Sequence, residues 1–265
     1  MIPPGGVTGM WFGDIESALG LKDKNVVVVD VLRTSTTMVA GLTNGAKEII
    51  PTEDVATAGL IGRNSQGHSL LCGERNGKII EGFNLGNSIK EYSPERVNGK
   101  TLIFSSTNGT PAFMKAKFAR NCIILAFTNI SRVVEYLTKL NEDFIILCSG
   151  KSGEFSLEDT ACSGMLIYQL TQKNMKQKYV LTDSALASTK LYSSYKKSLV
   201  KLMQDSEHGK FLIQIGNGDD LEECAKVDTC NCLPILRNGV IKLIESFESD
   251  PKLTMKKVAG KSINS

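Results

Sequence analysis

The chain has 265 residues, 42% hydrophobic and 22% charged, a composition that excludes disorder, collagen and coiled coil. Its 31 basic and 28 acidic residues leave a formal charge of +3, too small for the field of a nucleic-acid or membrane-surface binder. The only histidines are His68 and His208, which excludes a histidine-rich metal site and argues against a Ser/His/Asp triad.

The opening MIPPGGVTGMWFGD has neither the charged start nor the apolar core of a signal peptide. Val26 to Val29 is a continuous apolar run, short enough for a strand buried on both faces. The hydroxyl cluster Thr34-Ser35-Thr36-Thr37 leads into a helical stretch, Met38 to Leu42, that stops at Asn44-Gly45. Glu48 to Pro51 reads as a strand, and Thr52 as the cap of a helix with Glu53 and Asp54 in its first turn. Further strands are expected at Ser69 to Cys72, Thr101 to Ser105, Cys122 to Ala126 and Phe144 to Cys148. Helical patterns lie near Pro111 to Phe118 and Ser131 to Leu140. Gly73 to Pro94 breaks the rhythm with four glycines and little periodicity, as a functional loop would. Beyond residue 157 come two helical stretches, Glu158 to Gln172 and Asp183 to Met203, then a short strand, Leu233 to Leu236.

This alternation predicts an α/β fold: a layered α/β/α arrangement with a mostly parallel or mixed sheet and a mainly helical C-terminal part. A single domain is expected over 1–245, with two lobes meeting near 150 as a variant, followed by a polar, lysine-bearing tail, 246–265. No apolar run is long enough to span a membrane. Seven cysteines, mostly within apolar stretches, read as buried free thiols of a reducing cytoplasm. Cys230 and Cys232 are one residue apart, which is not zinc spacing.

Three polar clusters each follow an expected buried strand: VVVVDVLRTSTT, TLIFSSTNGT and FIILCSGKSGEFSLEDT. In open parallel sheets the ligand crevice lies beyond the carboxyl ends of the strands, where helix N-termini favour anions. Hydroxyls, arginine and glycine suit a phosphate or sulfonate, and clustered carboxylates suit Mg²⁺. Plainer readings stand beside these. The hydroxyls can be helix caps, Asn108-Gly109 an ordinary turn, and Glu158-Asp159 first-turn acidity. Asp30 closes an apolar strand, where an unpaired carboxylate is costly, and Arg33 is either its ion-pair partner or an anion ligand. His208, within SEHGK, reads as a polar turn residue. No P-loop string occurs, and Leu32 stands where a haloacid-dehalogenase-type phosphatase would carry its second Asp.

Taken together, VVVVDVLRTSTTMVAGLTNGAKEIIP, LLCGERNGKIIEGFNLGNSIKEY, GKTLIFSSTNGTPA and IILCSGKSGEFSLEDTACSG resemble one family, the 2-phosphosulfolactate phosphatases of coenzyme M biosynthesis. Asn84 and Ile89 depart from the Asp and Pro common in the GFDLGNSP segment; had that Asp been a metal ligand, metal binding would be weaker here. The resemblance implies a Mg²⁺-dependent, cytoplasmic α/β phosphatase that hydrolyses a phosphate ester beside a sulfonate. It implies catalytic roles for Asp30, Arg33, Glu74 and Asp159, with Mg²⁺ on Asp30 and Glu74 and its shell completed by Glu158 or Asp159. Substrate binding would fall to Arg33, Thr34, Ser35, Arg75, Asn87, Ser88, Thr107, Asn108, Gly109 and Thr110. Direct water attack and an Asp30 phosphoryl-enzyme are both open. So are another small organophosphate as substrate and a non-catalytic module holding an anionic metabolite. The partner implied is a small anionic organophosphate, with no nucleic acid and no membrane; a homodimer is an open assembly.

Overall fold

Val26 to Val29 form the middle of a strand with no solvent face, which explains why the run does not alternate with polar residues. Val26 and Val28 pack into one apolar core while Val27 and Val29 pack into a second on the opposite face. Ile123 and Leu125 against Cys122 and Ile124 repeat the division on a neighbouring strand. A computed structural model describes residues 6–10, 18–65, 67–173 and 179–244. The expected tail, 246–265, lies outside the described residues.

The strands are β1 (Gly6–Met10), β2 (Asn25–Val29), β3 (Glu48–Pro51), β4 (Ser69–Arg75), β5 (Lys78–Ile79), β6 (Thr101–Ser105), β7 (Asn121–Leu125), β8 (Phe144–Cys148), β9 (Val180–Leu181), β10 (Pro234–Arg237) and β11 (Val240–Leu243). They form one mixed sheet in the order β5-β4-β6-β3-β11-β10-β7-β2-β8-β1-β9. The helices are α1 (Thr34–Thr43), α2 (Val55–Asn64), α3 (Pro94–Val97), α4 (Gly109–Lys115), α5 (Ile130–Leu140), α6 (Leu157–Lys173), α7 (Asp183–Tyr195), α8 (Leu199–Asp205), α9 (Glu207–Gln214) and α10 (Asp220–Cys224). With helices on both cores, the α/β expectation holds. None of the described helices is long and apolar enough to cross a membrane.

Two groups of parallel strands make up the sheet, β4-β6-β3 and β7-β2-β8-β1-β9. Between them lies the antiparallel hairpin β10–β11, paired antiparallel to β7 on one side and β3 on the other. Three antiparallel steps therefore separate the groups, so they run in opposite senses. The polar clusters after β2 and β8 share one parallel rim, as the open-sheet rule leads one to expect, but the cluster after β6 belongs to the other group. The segments after β6 and β4 join that rim through direct hydrogen bonds, Thr34 to Ser106, Ser152 to Asn108 and Thr107 to Glu74.

Local chemistry corrects several boundaries. Thr52 does not cap α2; its N–H and hydroxyl both donate to Phe104 O, at 2.8 and 3.1 Å, extending the sheet edge. Asp54 is the cap instead, its carboxylate accepting from Thr57 N–H at 2.8 Å. The stretch expected to be one helix from Asp183 to Met203 is two, because Ser198 caps a new start by accepting from Lys201 N–H. Gly73 to Pro94 is also less irregular than expected. Asn76-Gly77, with φ of 52° and 74°, turns β4 into β5 as a two-residue hairpin. Asn238-Gly239, at 51° and 80°, does the same between β10 and β11.

Candidate active site

The apolar run of β2 ends at Asp30, which is 2% exposed. The chain then turns into α1, and the turn is fastened to Asp30 itself. Thr34 N–H donates to Asp30 Oδ1 at 3.2 Å, and Ser35 N–H to Asp30 O at 2.8 Å. Ser35 Oγ accepts from Asp30 N–H at 3.0 Å. The end of β6 is stitched alongside: Thr34 Oγ1 donates to Ser106 Oγ at 3.1 Å. From the β4 end, Glu74 accepts Thr107 N–H at 2.7 Å and Gly77 N–H at 2.8 Å. Three strand ends separated by tens of residues thus border one cleft of about 170 Å³. Asp30, Arg33, Thr34, Glu74, Asn76, Gly77, Asn87, Thr107, Asn108, Lys151, Ser152, His208 and Phe211 line it, with Leu32.

Burial pushes the Asp30 carboxyl up to about 7, with help from the charges of Glu74 and Glu158 and against its bonds to Thr34. His208 is driven the other way, down to about 4, by burial and by the Arg33 and Lys151 cations, with Glu74 opposing. It therefore presents a neutral imidazole at neutral pH. Gly109 fits only as glycine here. A Cβ would stand 2.4 Å from Asp30 Oδ2 and 2.5 Å from Thr34 Cβ. Asn87 is 4% exposed, and its Oδ1 is buried with no hydrogen-bond partner. Its Nδ2 donates weakly to Thr34 Oγ1 at 3.4 Å, so only the oxygen of this amide in the cleft wall lacks a partner.

Residues 14–239 match the family described as 2-phosphosulpholactate phosphatase. The chain belongs to that family. It is 39% identical over 228 residues to a probable 2-phosphosulfolactate phosphatase of Caldanaerobacter subterraneus subsp. tengcongensis, covering 86% of this chain and 93% of the relative. Proteins of the same description from Thermotoga maritima, at 38% over 222 residues (84% of this chain and 93% of the relative), and Carboxydothermus hydrogenoformans, at 40% over 219 (83% and 89%), are similar.

Within this family member, the residues singled out from sequence divide by position. Asp30, Arg33, Thr34, Glu74, Asn87, Thr107 and Asn108 line the cleft, and Gly109 abuts Asp30. Ser35 and Thr110 are absorbed by the turns: Ser35 by Asp30, and Thr110 by Ser106, whose N–H it accepts at 2.9 Å. Arg75 does not line the cleft; it donates to Glu74 O at 2.8 Å and Ser105 Oγ at 2.9 Å. Ser88 lies off the cleft and donates to Asp220 Oδ1 at 2.5 Å. Asp159 sits behind the wall. Its Oδ1 accepts Val31 N–H at 2.8 Å and its Oδ2 accepts Ser149 Oγ–H and Gly150 N–H, each at 3.2 Å. Glu158 opens into an adjoining cavity of about 220 Å³, whose wall Lys151 and His208 share with the cleft. Asn84 is remote from the cleft as well; its Oδ1 accepts Leu71 N–H at 2.8 Å and braces the start of β4.

These positions correct two ideas. Arg33 is not ion-paired with Asp30; its Nη1 meets Asp220 Oδ2 at 2.8 Å and its Nη2 donates to Gly77 O at 3.0 Å. Of the carboxylates expected around Mg²⁺, Asp30 and Glu74 line the cleft, whereas neither Glu158 nor Asp159, expected to complete the shell, does so. Among the described residues no three His, Cys, Asp or Glu converge as a metal-holding group. Two carboxylates do fit Mg²⁺, which commonly takes one or two and completes its shell with water and substrate phosphate. Sequence reasoning missed Lys151, His208, Phe211 and Asp220. His208 is no turn residue; it lies in the first turn of α9, whose start is set by Ser206 Oγ accepting Gly209 N–H at 2.9 Å. The string SEHG carried that capping signal.

Proposed function

We propose that the cleft hydrolyses a small phosphate monoester bearing a second anionic group, most specifically 2-phospho-3-sulfolactate to 3-sulfolactate and phosphate. Family membership over most of the chain supports the reaction, and the lining supports the substrate class. The observation that carries it is the mixture of charges in one small cleft: a buried carboxyl, a second carboxylate, a guanidinium, an ammonium and a neutral imidazole. A cavity meant only to hold an anion needs the cations but gains nothing from Asp30 and Glu74, whose charges oppose the ligand.

In this reading Asp30 and Glu74 would hold Mg²⁺, whose charge would offset the desolvation that raises the Asp30 carboxyl. When bound, Mg²⁺ neutralises phosphoryl charge and makes a coordinated water more acidic. Arg33 and the Asn87 amide bind phosphoryl oxygens. Lys151, half-exposed at the rim, takes the sulfonate or carboxylate. His208 enters uncharged; the bound dianion offsets the cations that depress its basicity, so it can accept the proton of the attacking water and return it to the ester oxygen as the alcohol leaves. The seven cysteines are free and six are buried, which suits a reducing cytoplasm as the place of action.

A phosphate-release assay on a panel of small organophosphates, with Mg²⁺ and with chelator, tests the proposal. Turnover highest on esters that carry a second anionic group beside the phosphate, and lost in chelator, is expected. Melting curves supply a second readout: Mg²⁺ should raise Tm in the native protein and leave Asp30→Asn unmoved. Full turnover after exhaustive chelation would end the metal role, and inactivity on every ester would end the phosphatase reading.

A further inference from the structure

Arg33 is the cleft residue whose usefulness depends most on orientation, because a guanidinium binds oxyanions through a planar fork. Left free, its long side chain would carry rotamer entropy that ligand binding would have to overcome. The fold removes that freedom beforehand. Arg33 is 4% exposed, with Nη1 on Asp220 and Nη2 on Gly77 O. Asp220 is itself 2% exposed and is gripped on its other oxygen by Ser88 at 2.5 Å. Asn217, three residues earlier, donates through Nδ2 to the same Gly77 carbonyl at 3.2 Å. Three segments far apart in sequence thus converge on one guanidinium: the GNS turn, the Asn76-Gly77 hairpin and the start of α10. The two bonds leave Arg33 with further N–H donors beside Asp30, Thr34 and Asn87.

We propose that Asp220, oriented by Ser88, is a positioning residue of this site: it fixes the plane of the Arg33 guanidinium against which the phosphate of the substrate binds. The proposal deepens the reading of the cleft as a phosphate site and rests on it. Asp220 touches no substrate; it acts through Arg33. Ser88, placed among the substrate ligands by resemblance, belongs to this support.

A double-mutant cycle tests it, with kcat and KM measured on the best ester of the panel and inorganic phosphate binding measured separately by calorimetry. Asp220→Ala should lower kcat/KM by about tenfold or more and weaken phosphate binding, with the loss shared between kcat and KM. Asp220→Asn, which keeps an acceptor for Arg33, should recover most of it at a similar Tm. The pair Arg33→Lys and Asp220→Ala should together lose no more than Arg33→Lys alone, since both act on one fork. Asp220→Ala within about twofold of native kcat/KM, or losses that multiply in the double variant, would overturn the proposal. Should Asp220→Ala fail to fold, Ser88→Ala decides: a fall of a few-fold in phosphate affinity supports the idea, and native affinity overturns it. Phosphate binding keeps the two readings apart. A protein that hydrolyses no ester yet binds phosphate in an Asp220-dependent way would refute the phosphatase and retain the positioning role.

Discussion

Asp30 stands in the folded protein at an energetic disadvantage that has a definite pH signature. Its carboxyl is pushed up to about 7, burial being the largest cause, so the folded value lies above the unfolded one. Such a group favours the fold fully below the ordinary carboxylate range, and that contribution is lost as pH rises through about 7. Above that the folded state carries a desolvated charge. Asp30→Asn should therefore gain stability at pH 8 in chelator, on the order of 2–4 kcal/mol, gain none at pH 4, and lose nearly all phosphatase activity. Urea denaturation at the two pH values checks this; equal stabilities of variant and native protein at pH 8 would mean that Asp30 is relieved by a partner. Asp30 was legible in the sequence because a carboxylate closing an apolar strand is chemically conspicuous. Asp220 was not, because it sits in the acidic string GDDLEE and its partner Arg33 is 187 residues away. A side chain whose meaning lies in a distant contact leaves no local mark.

At the scale of elements, the cleft depends on how strand ends are tied together. Asp159, at the start of α6, bonds Val31 N–H after β2 and both Ser149 Oγ–H and Gly150 N–H after β8. One carboxylate thus clamps two adjacent strand ends, and its pKa is held well above the ordinary range by burial first and by Glu158 and Asp30 after it. Truncation leaves buried donors unsatisfied, so Asp159→Ala should cost about 2–4 kcal/mol. It should lower activity only indirectly, through looser ends of β2 and β8. A denaturant midpoint unchanged by Asp159→Ala would contradict the clamp. The strands themselves were readable, because runs such as Phe144 to Cys148 declare burial on both faces. The elements that escaped are short or carry a cap signal in place of a pattern: β1, β5, β9, β11, α3, α9 and α10. Their place is set by what they pack against.

For the molecule as a whole, the hairpin β10–β11 is the joint. Ile241 pairs with Leu236 in its own hairpin and with Ile49 of β3, and is fully buried. Ile241→Ala should cost about 2–4 kcal/mol, and calorimetry should show a single transition at lower temperature, because both parallel groups lean on that joint. Two separate transitions in the variant would show that the groups are stable apart. The amino-acid sequence by itself determined the α/β class, most strand and helix positions, and the loops that carry the polar chemistry. Those features follow from local periodicity, capping and composition, which act over a few residues. Only the tertiary structure decided that two strand groups of opposite sense meet at their C-terminal ends. It alone decided that Asp159 and Ser88 support the cleft and do not line it, that His208 and Lys151 enter it, and that Asp220 holds Arg33. Those outcomes depend on sheet order and long-range packing, and the energy that selects them resides in contacts between residues that no local pattern links.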